Sequence, residues 1–133
     1  MSFIDATVSD IQISESLHIV SFDFHGEILS MMSLELEDAL KIGSQVKLQV
    51  KPSHVAISKD LNQQLSYSNQ IPSTISNIDS GKLVTTLSLN TNESTIESLI
   101  TSKSAKRMGL QKGDKVVALI KASELSIAEI LHA

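Results

Sequence analysis

The sequence contains no cysteine, which excludes disulfide bonds, thiolate metal sites and cysteine nucleophiles. Aromatic residues make up only 3% of the chain, and tryptophan is absent. A hydrophobic core must therefore be built from isoleucine, leucine, valine and methionine. The shortage of aromatic side chains also disfavours a nucleic-acid-binding barrel, because such barrels combine a basic groove with stacking aromatics.

Long apolar runs are absent as well. No run approaches the roughly 18 residues of a membrane span, and the N-terminal MSFIDATVSD lacks the basic and apolar regions of a signal peptide. We therefore expect a cytoplasmic protein without membrane insertion. The net charge of −4 argues against nucleic-acid partners. The charge is uneven: residues 1–60 hold nine acids and four lysines, whereas residues 61–133 hold six acids and seven basic residues.

Alternation of apolar and polar residues, together with one continuous apolar run at Val116–Ile120, predicts a mostly β protein. The predicted strands are Ile4–Ile13 with a bulge, His18–Phe24, Ile28–Met32, Val46–Val50, Ser73–Ile78, Leu83–Leu89, Thr95–Ile100 and Val116–Ile120. Two short helices are predicted, over Ser33–Leu40 and from Thr101 to Gly109. The polar stretch Lys59–Ser68 is predicted to be a linker.

An internal repeat organises these elements. A shift of 70 positions overlays residues 31–57 on 101–127 without a gap, with identities at Leu40/Leu110, Gly43/Gly113, Val46/Val116, Lys51/Lys121, Ser53/Ser123 and Ile57/Ile127. The identities fall on a turn glycine, a strand core and the lysine that ends the strand. We expect two all-β domains, residues 1–60 and 66–133, each a small barrel of about five strands.

Residues 100–123 carry the most specific pattern, IT-x-x-S-A-x-x-x-GL-x-x-G-x-x-V-x-ALIKAS. This pattern resembles the signature of TOBE/Mop domains, the molybdate- and tungstate-binding modules also called molybdenum-pterin-binding proteins. The family's opening motif has a partial counterpart in residues 66–73, and residues 81–85 are similar to its G-L-V-T turn. The first half, residues 2–57, resembles the same family more weakly, so that the chain is similar to tandem di-Mop proteins.

The resemblance implies two tandem antiparallel barrels of the oligonucleotide-binding (OB) type, with anion sites between domains and between subunits. It implies a homo-oligomer, with a trimer favoured over a dimer, and molybdate or tungstate as the bound ligand. A tetrahedral dianion needs hydrogen-bond donors, and charged donors are the strongest. The candidate site residues are Thr101, Ser104, Lys121, Ala122 and Ser123 on one side, with Ser66, Tyr67 and Ser68 on the other.

The chain departs from the family pattern at several of these positions. Ser68 stands where the family has an arginine, which removes a cation. In the gapless overlay Met31 and Leu34 stand for Thr101 and Ser104, and Pro52, which has no N–H, stands for Ala122. Lys51 and Ser53 remain as a second candidate site. We therefore expect the first copy to be mainly structural, or to contribute only to a site shared between the copies.

Nothing in the sequence indicates catalysis. His18, His25, His54 and His132 show no metal-ligand spacing, and no nucleophile–base pair or phosphate loop is found. We expect no metal bound as a cation and no enzyme activity. The favoured hypothesis is a molybdate/tungstate-binding protein for molybdenum storage, buffering or homeostasis. The alternative is a ligand-free regulatory or assembly module associated with a molybdate transporter.

Overall fold

The computed structural model describes residues 1–62 and 64–133. These described residues form ten β-strands, one α-helix and two short 3-10 helices. The strands are β1 (Ser2–Ser14), β2 (Leu17–Phe24), β3 (Glu27–Ser33), β4 (Gln45–Val50), β5 (Ala56–Ser58), β6 (Asn69–Ser80), β7 (Val84–Thr91), β8 (Ser94–Thr101), β9 (Lys115–Ile120) and β10 (Ser126–His132). The first 3-10 helix is Pro52–His54, the helix α1 is Ser102–Met108 and the second 3-10 helix is Ala122–Glu124.

The strands form two curled antiparallel sheets of five strands each, which confirms the predicted all-β fold of two tandem OB-like units. The strand orders are β10-β4-β1-β2-β3 and β5-β9-β6-β7-β8. The predicted bulge in the first strand is present between Val8 and Asp10, and a matching bulge lies between Ile75 and Asn77 in β6. The two sheets are therefore built on the same plan, as expected of a repeat.

Each sheet takes its outermost strand from the other half of the chain. β5, from the first half, pairs with β9, so that Ile57 lies opposite Ala118. β10, from the second half, pairs with β4, so that Ile127 lies opposite Leu48. The chain crosses between the sheets at the two 3-10 helices. β10 has no counterpart among the predicted strands, and the division into residues 1–60 and 66–133 stays a prediction.

Within the described part of the chain, a cluster of apolar side chains runs through both sheets, and aliphatic residues dominate it as the composition predicts. Its largest fully buried members are Phe22, Phe24, Ile4, Leu29, Leu48, Ile71, Ile75, Leu87, Leu89, Ile96, Ile120 and Leu125. Hydrogen bonds cross between the halves beside this cluster. The Ser2 hydroxyl accepts from the Glu97 N–H at 2.8 Å, and the buried Ser98 hydroxyl donates to the Val55 carbonyl at 2.6 Å.

The helix predicted over Ser33–Leu40 is absent, and this prediction is wrong. β3 extends to Ser33, and the chain reaches Leu40 through a bend and a turn. The Ser33 hydroxyl accepts from the Glu35 N–H at 3.3 Å, so it supports a local turn rather than a helix start.

The strand ladders also correct the gapless overlay of the two copies. Val20 lies opposite Met31, and Leu87 lies opposite Ser98, so Met31 is the structural counterpart of Ser98 rather than of Thr101. The counterpart of Thr101 is Leu34. From Leu40/Leu110 onward the overlay of 70 positions applies, so the second copy has three extra residues between β8 and Leu110. Those three residues provide the length for α1.

The remaining boundaries differ only slightly from the predictions. β7 runs on to Thr91, and β6 begins at Asn69. The predicted linker over Lys59–Ser68 includes Gln63, which lies outside the described residues.

Candidate functional site

The N-terminal end of α1 brings two of the candidate hydroxyls together. The Thr101 side chain caps the helix by accepting from the Ser104 N–H at 3.1 Å. Its own hydroxyl donates to Ser104 Oγ at 2.9 Å, and the Arg107 guanidinium donates to the same oxygen at 3.3 Å. Because Ser104 Oγ accepts both bonds, its hydrogen remains available for an outside acceptor.

Arg107 is not among the site residues predicted from the sequence. It lies one helical turn after Ser104, and side chains three positions apart are neighbours on a helix surface. The structure therefore places a cation beside the hydroxyl pair, in a chain that has Ser68 where the family has its arginine. The three-residue spacing of Ser104 and Arg107 on a predicted helix is the sequence pattern that indicates this contact.

The start of α1 is fixed by a buried serine. The Ser102 hydroxyl donates to the Gly81 carbonyl at 2.7 Å and lies 2.8 Å from Thr85 Oγ1. A Cβ at Gly81 would lie 2.7 Å from the Val84 carbonyl oxygen, so only glycine fits this turn. The turn before β7 thus holds the first residue of the helix, and with it the orientation of Thr101 and Ser104.

Lys121 lies where β9 ends and the second 3-10 helix begins, and its side chain is exposed. It lines a cavity of about 280 Å³ whose wall comes from both halves of the chain. The polar lining residues are Ser53, His54, Tyr67, Lys121 and Glu124. Ile100 also lines this cavity, whereas Thr101 and Ser104 do not.

Lys51 occupies the equivalent place at the end of β4 and the start of the first 3-10 helix. It lines a second cavity, of about 220 Å³, together with His54, Ser123 and Glu124. The structure therefore combines each lysine with the serine of the other copy: Lys121 with Ser53, and Lys51 with Ser123. Lys51 and Ser53, grouped as one candidate site by sequence, line different cavities.

His54 and Glu124 lie between the two cavities and line both of them. His54 Nδ1 is 2.8 Å from Glu124 Oε2, and the two side chains are 36% and 38% exposed. The two residues occupy equivalent positions at the ends of the two 3-10 helices. This contact joins the two crossovers of the chain, and it could not be predicted from local sequence patterns because the partners are 70 positions apart.

The other candidate residues divide between these places. Tyr67 lines the Lys121 cavity, whereas Ser66 and Ser68 on either side of it are exposed. Ala122 is buried as the first residue of the second 3-10 helix, and Ser123 is exposed. The structure thus separates the sequence-predicted set into a hydroxyl cluster at α1 and two lysine cavities at the crossovers.

Within residues 1–62 and 64–133, no three histidine, aspartate or glutamate side chains are grouped closely enough to hold a metal ion. The described helices include none long and apolar enough to cross a membrane.

The fold and the motif together define the class. Residues 65–127 match the sequence profile of the TOBE domain family, and this part of the chain is a TOBE domain. The resemblance to TOBE/Mop modules is therefore confirmed.

Particular relatives follow from sequence and structure comparison. The chain is 32% identical over 100 residues to the molybdenum import ATP-binding protein ModC of Brucella abortus (strain 2308) and to that of Brucella suis biovar 1 (strain 1330). These matches cover 74% of this chain but only 28% of ModC. The structure is similar to that of the cytoplasmic molybdate-binding protein ModG, crystallised with molybdate bound, at a TM-score of 0.86 and 26% identity. That match covers 94% of this chain and 93% of ModG.

Proposed function

We propose that this chain binds molybdate or tungstate in the cytoplasm and serves molybdenum storage, buffering or homeostasis as a binding protein rather than an enzyme. The observation that carries the proposal is the Lys121 cavity, built by both halves of a chain that shares the ModG fold over nearly its full length. Lysine supplies the counter-charge, and Ser53 and Tyr67 supply hydroxyl donors to the oxygens of a tetrahedral anion.

The hydroxyl cluster of Thr101 and Ser104 enters the proposal through oligomerisation. Beside Thr101 lie two exposed apolar side chains, Leu83 at 77% and Val84 at 50% exposure. Exposed apolar groups next to polar ones are typical of protein interfaces. We propose a homo-oligomer, with a trimer favoured over a dimer, in which this surface meets another copy. Native mass spectrometry after molybdate loading measures the subunit count and the number of ions together, and a monomer without ions would contradict both proposals.

Replacing Lys121 tests the ligand site directly. In Lys121→Ala we expect molybdate affinity to fall about 10- to 100-fold, because a hydrogen bond from a charged group contributes about 1.5–3 kcal/mol. Isothermal titration calorimetry with molybdate and tungstate measures the change, with sulfate as a competing dianion. Lys112→Ala, in the exposed turn before β9, is the matched control and should bind as the parent does. Equal affinity in the two variants would remove Lys121 from the site.

The second candidate function is a ligand-free regulatory or assembly module associated with a molybdate transporter. Two observations favour it: the missing cation at Ser68, and the similarity to a segment of the transporter ATPase ModC. Under this alternative the protein stays free of molybdate after loading and co-purifies with a transporter subunit. Saturable molybdate binding that depends on Lys121 would reject it.

A further inference from the structure

The His54–Glu124 contact affects the net charge of both lysine cavities. Glu124 carries its carboxylate into the lining of both lysine cavities. An anion bound beside Lys121 or Lys51 shares its cavity with this carboxylate, and the two negative charges repel each other. The carboxylate of Glu124 opposes anion binding in both cavities unless a cation neutralises it. The charge of the residue that contacts Glu124 therefore determines the net charge of each cavity.

His54 is that partner. With an imidazolium at 2.8 Å from the Glu124 oxygen, the pair is neutral as a unit, and the lysine is left as the net charge of the cavity. With a neutral imidazole, the carboxylate offsets the lysine. The other charged or titratable groups facing the pair are Lys121 and Tyr67 in one cavity and Lys51 with the Met1 terminus in the other. Lysine, tyrosine and carboxylate side chains ordinarily keep their charge across pH 6 to 8.5, whereas histidine side chains and α-amino groups ordinarily change charge there. The Met1 terminus lines only the Lys51 cavity, so among these groups His54 alone is of the kind that changes charge in the Lys121 cavity.

We infer that His54 and Glu124 form a charge-setting pair that tunes oxyanion affinity in both crossover cavities, and that protonation of His54 strengthens binding. The inference rests on the proposed oxyanion function and names two residues that control it. Its sign follows from the charges. Each cavity has one unit less positive charge with a neutral imidazole than with an imidazolium, so the cavity with the neutral imidazole binds a dianion less tightly.

The two partners act in opposite directions, which distinguishes tuning from a mere structural link. In His54→Gln the carboxylate is uncompensated at every pH, so affinity at pH 6 should fall about fivefold, to the level of the parent at pH 8.5. In Glu124→Gln the opposing charge is gone, so affinity at pH 8.5 should rise by about the same factor. A contact that only joins the two 3-10 helices would lower the melting temperature in both variants without moving affinity in opposite directions.

The test is calorimetric titration with sodium molybdate at pH 6 and pH 8.5 for the parent, His54→Gln, Glu124→Gln and the exchanged double variant His54→Glu/Glu124→His. The exchanged pair should restore the pH dependence, because both positions line both cavities. His132→Gln, near the end of β10, is the control and should keep the parental profile. Circular dichroism confirms folding of each variant.

The outcomes separate this inference from the proposed function. Binding that weakens with pH in the parent, loses most of that dependence in His54→Gln, strengthens at pH 8.5 in Glu124→Gln and regains the dependence in the exchanged variant supports the pair. Molybdate binding that is equal at the two pH values, or a dependence as steep in His54→Gln as in the parent, overturns the pair and leaves the oxyanion function standing. No saturable binding by the parent at either pH overturns both.

Discussion

At the scale of single residues, one buried amide joins the two halves of the chain. Asn69 is fully buried at the start of β6. Its Oδ1 accepts from the Ser30 N–H at 2.7 Å, and its Nδ2 donates to the Ser30 carbonyl at 2.9 Å. The side chain thus pairs with the edge strand β3 much as a neighbouring strand would, and it satisfies two backbone groups in an apolar setting.

Removing this amide should be costly. In Asn69→Ala we expect the free energy of unfolding to fall by about 2–4 kcal/mol, because both Ser30 backbone groups lose their partner. Asn69→Asp should also destabilise, since a carboxylate cannot donate to the Ser30 carbonyl. Urea denaturation followed by circular dichroism gives the values. Asn77→Ala, at an exposed position of the same strand, is the control, and a loss as large there would contradict this account.

At the scale of elements, α1 distinguishes the two copies. Thr101 caps its start, and Gly109, with φ of 62°, ends it in the left-handed region that glycine adopts readily. The corresponding stretch of the first copy is three residues shorter and has Leu34 in place of Thr101. The helix is therefore an addition to a shared strand framework, and it carries the hydroxyl and arginine cluster.

The cap should be worth a measurable amount. Thr101→Ala should lower the free energy of unfolding by about 1 kcal/mol, since the Ser104 N–H loses its acceptor. Thermal unfolding measures this loss. Thr95→Ala, on the exposed face of the same strand β8, should change stability by less than about 0.5 kcal/mol. An equal effect at both threonines would show that capping is not the cause.

The sequence predicted the elements well where local signals exist. Alternation and the continuous apolar run Val116–Ile120 identified eight of the strands and the bulge in β1, and the polar segment that ends at Gly109 identified the helix. It failed at Ser33–Leu40 because a serine followed by acids satisfies the rules for a helix start, while the available length is decided by where β3 ends. It failed for β5, which has only three residues, and for β10, most of whose residues are exposed, because neither has a clear apolar alternation. The partners of Lys121 and Lys51 were hidden because exchange of strands, not sequence spacing, brings each lysine to the serine of the other copy.

At the scale of the whole molecule, the exchange of β5 and β10 makes each sheet depend on the other half. Neither sheet keeps five strands unless both halves are folded, and one apolar cluster runs through both. The chain should accordingly unfold as one cooperative unit despite its tandem sequence.

Native-state hydrogen exchange tests this expectation. The amides of Val20 in β2 and Leu87 in β7 are both in central, buried parts of their sheets. We expect them to exchange with free energies equal within about 0.5 kcal/mol and to respond equally to urea, because both require global opening. Two clearly separated opening energies would show that the halves unfold independently.

The crossover of β10 also fixes an order of events during synthesis. β4 is made early, but its second partner is made only after the whole of the second half. Until then one edge of β4 has no neighbouring strand, although its side chains Val46, Leu48 and Val50 belong to the core. Unpaired strand edges on a nascent chain favour association with other chains. The first half therefore stays incompletely paired until residues 126–132 have been synthesised. During rapid synthesis, the unpaired edge of β4 would need protection from association with other chains.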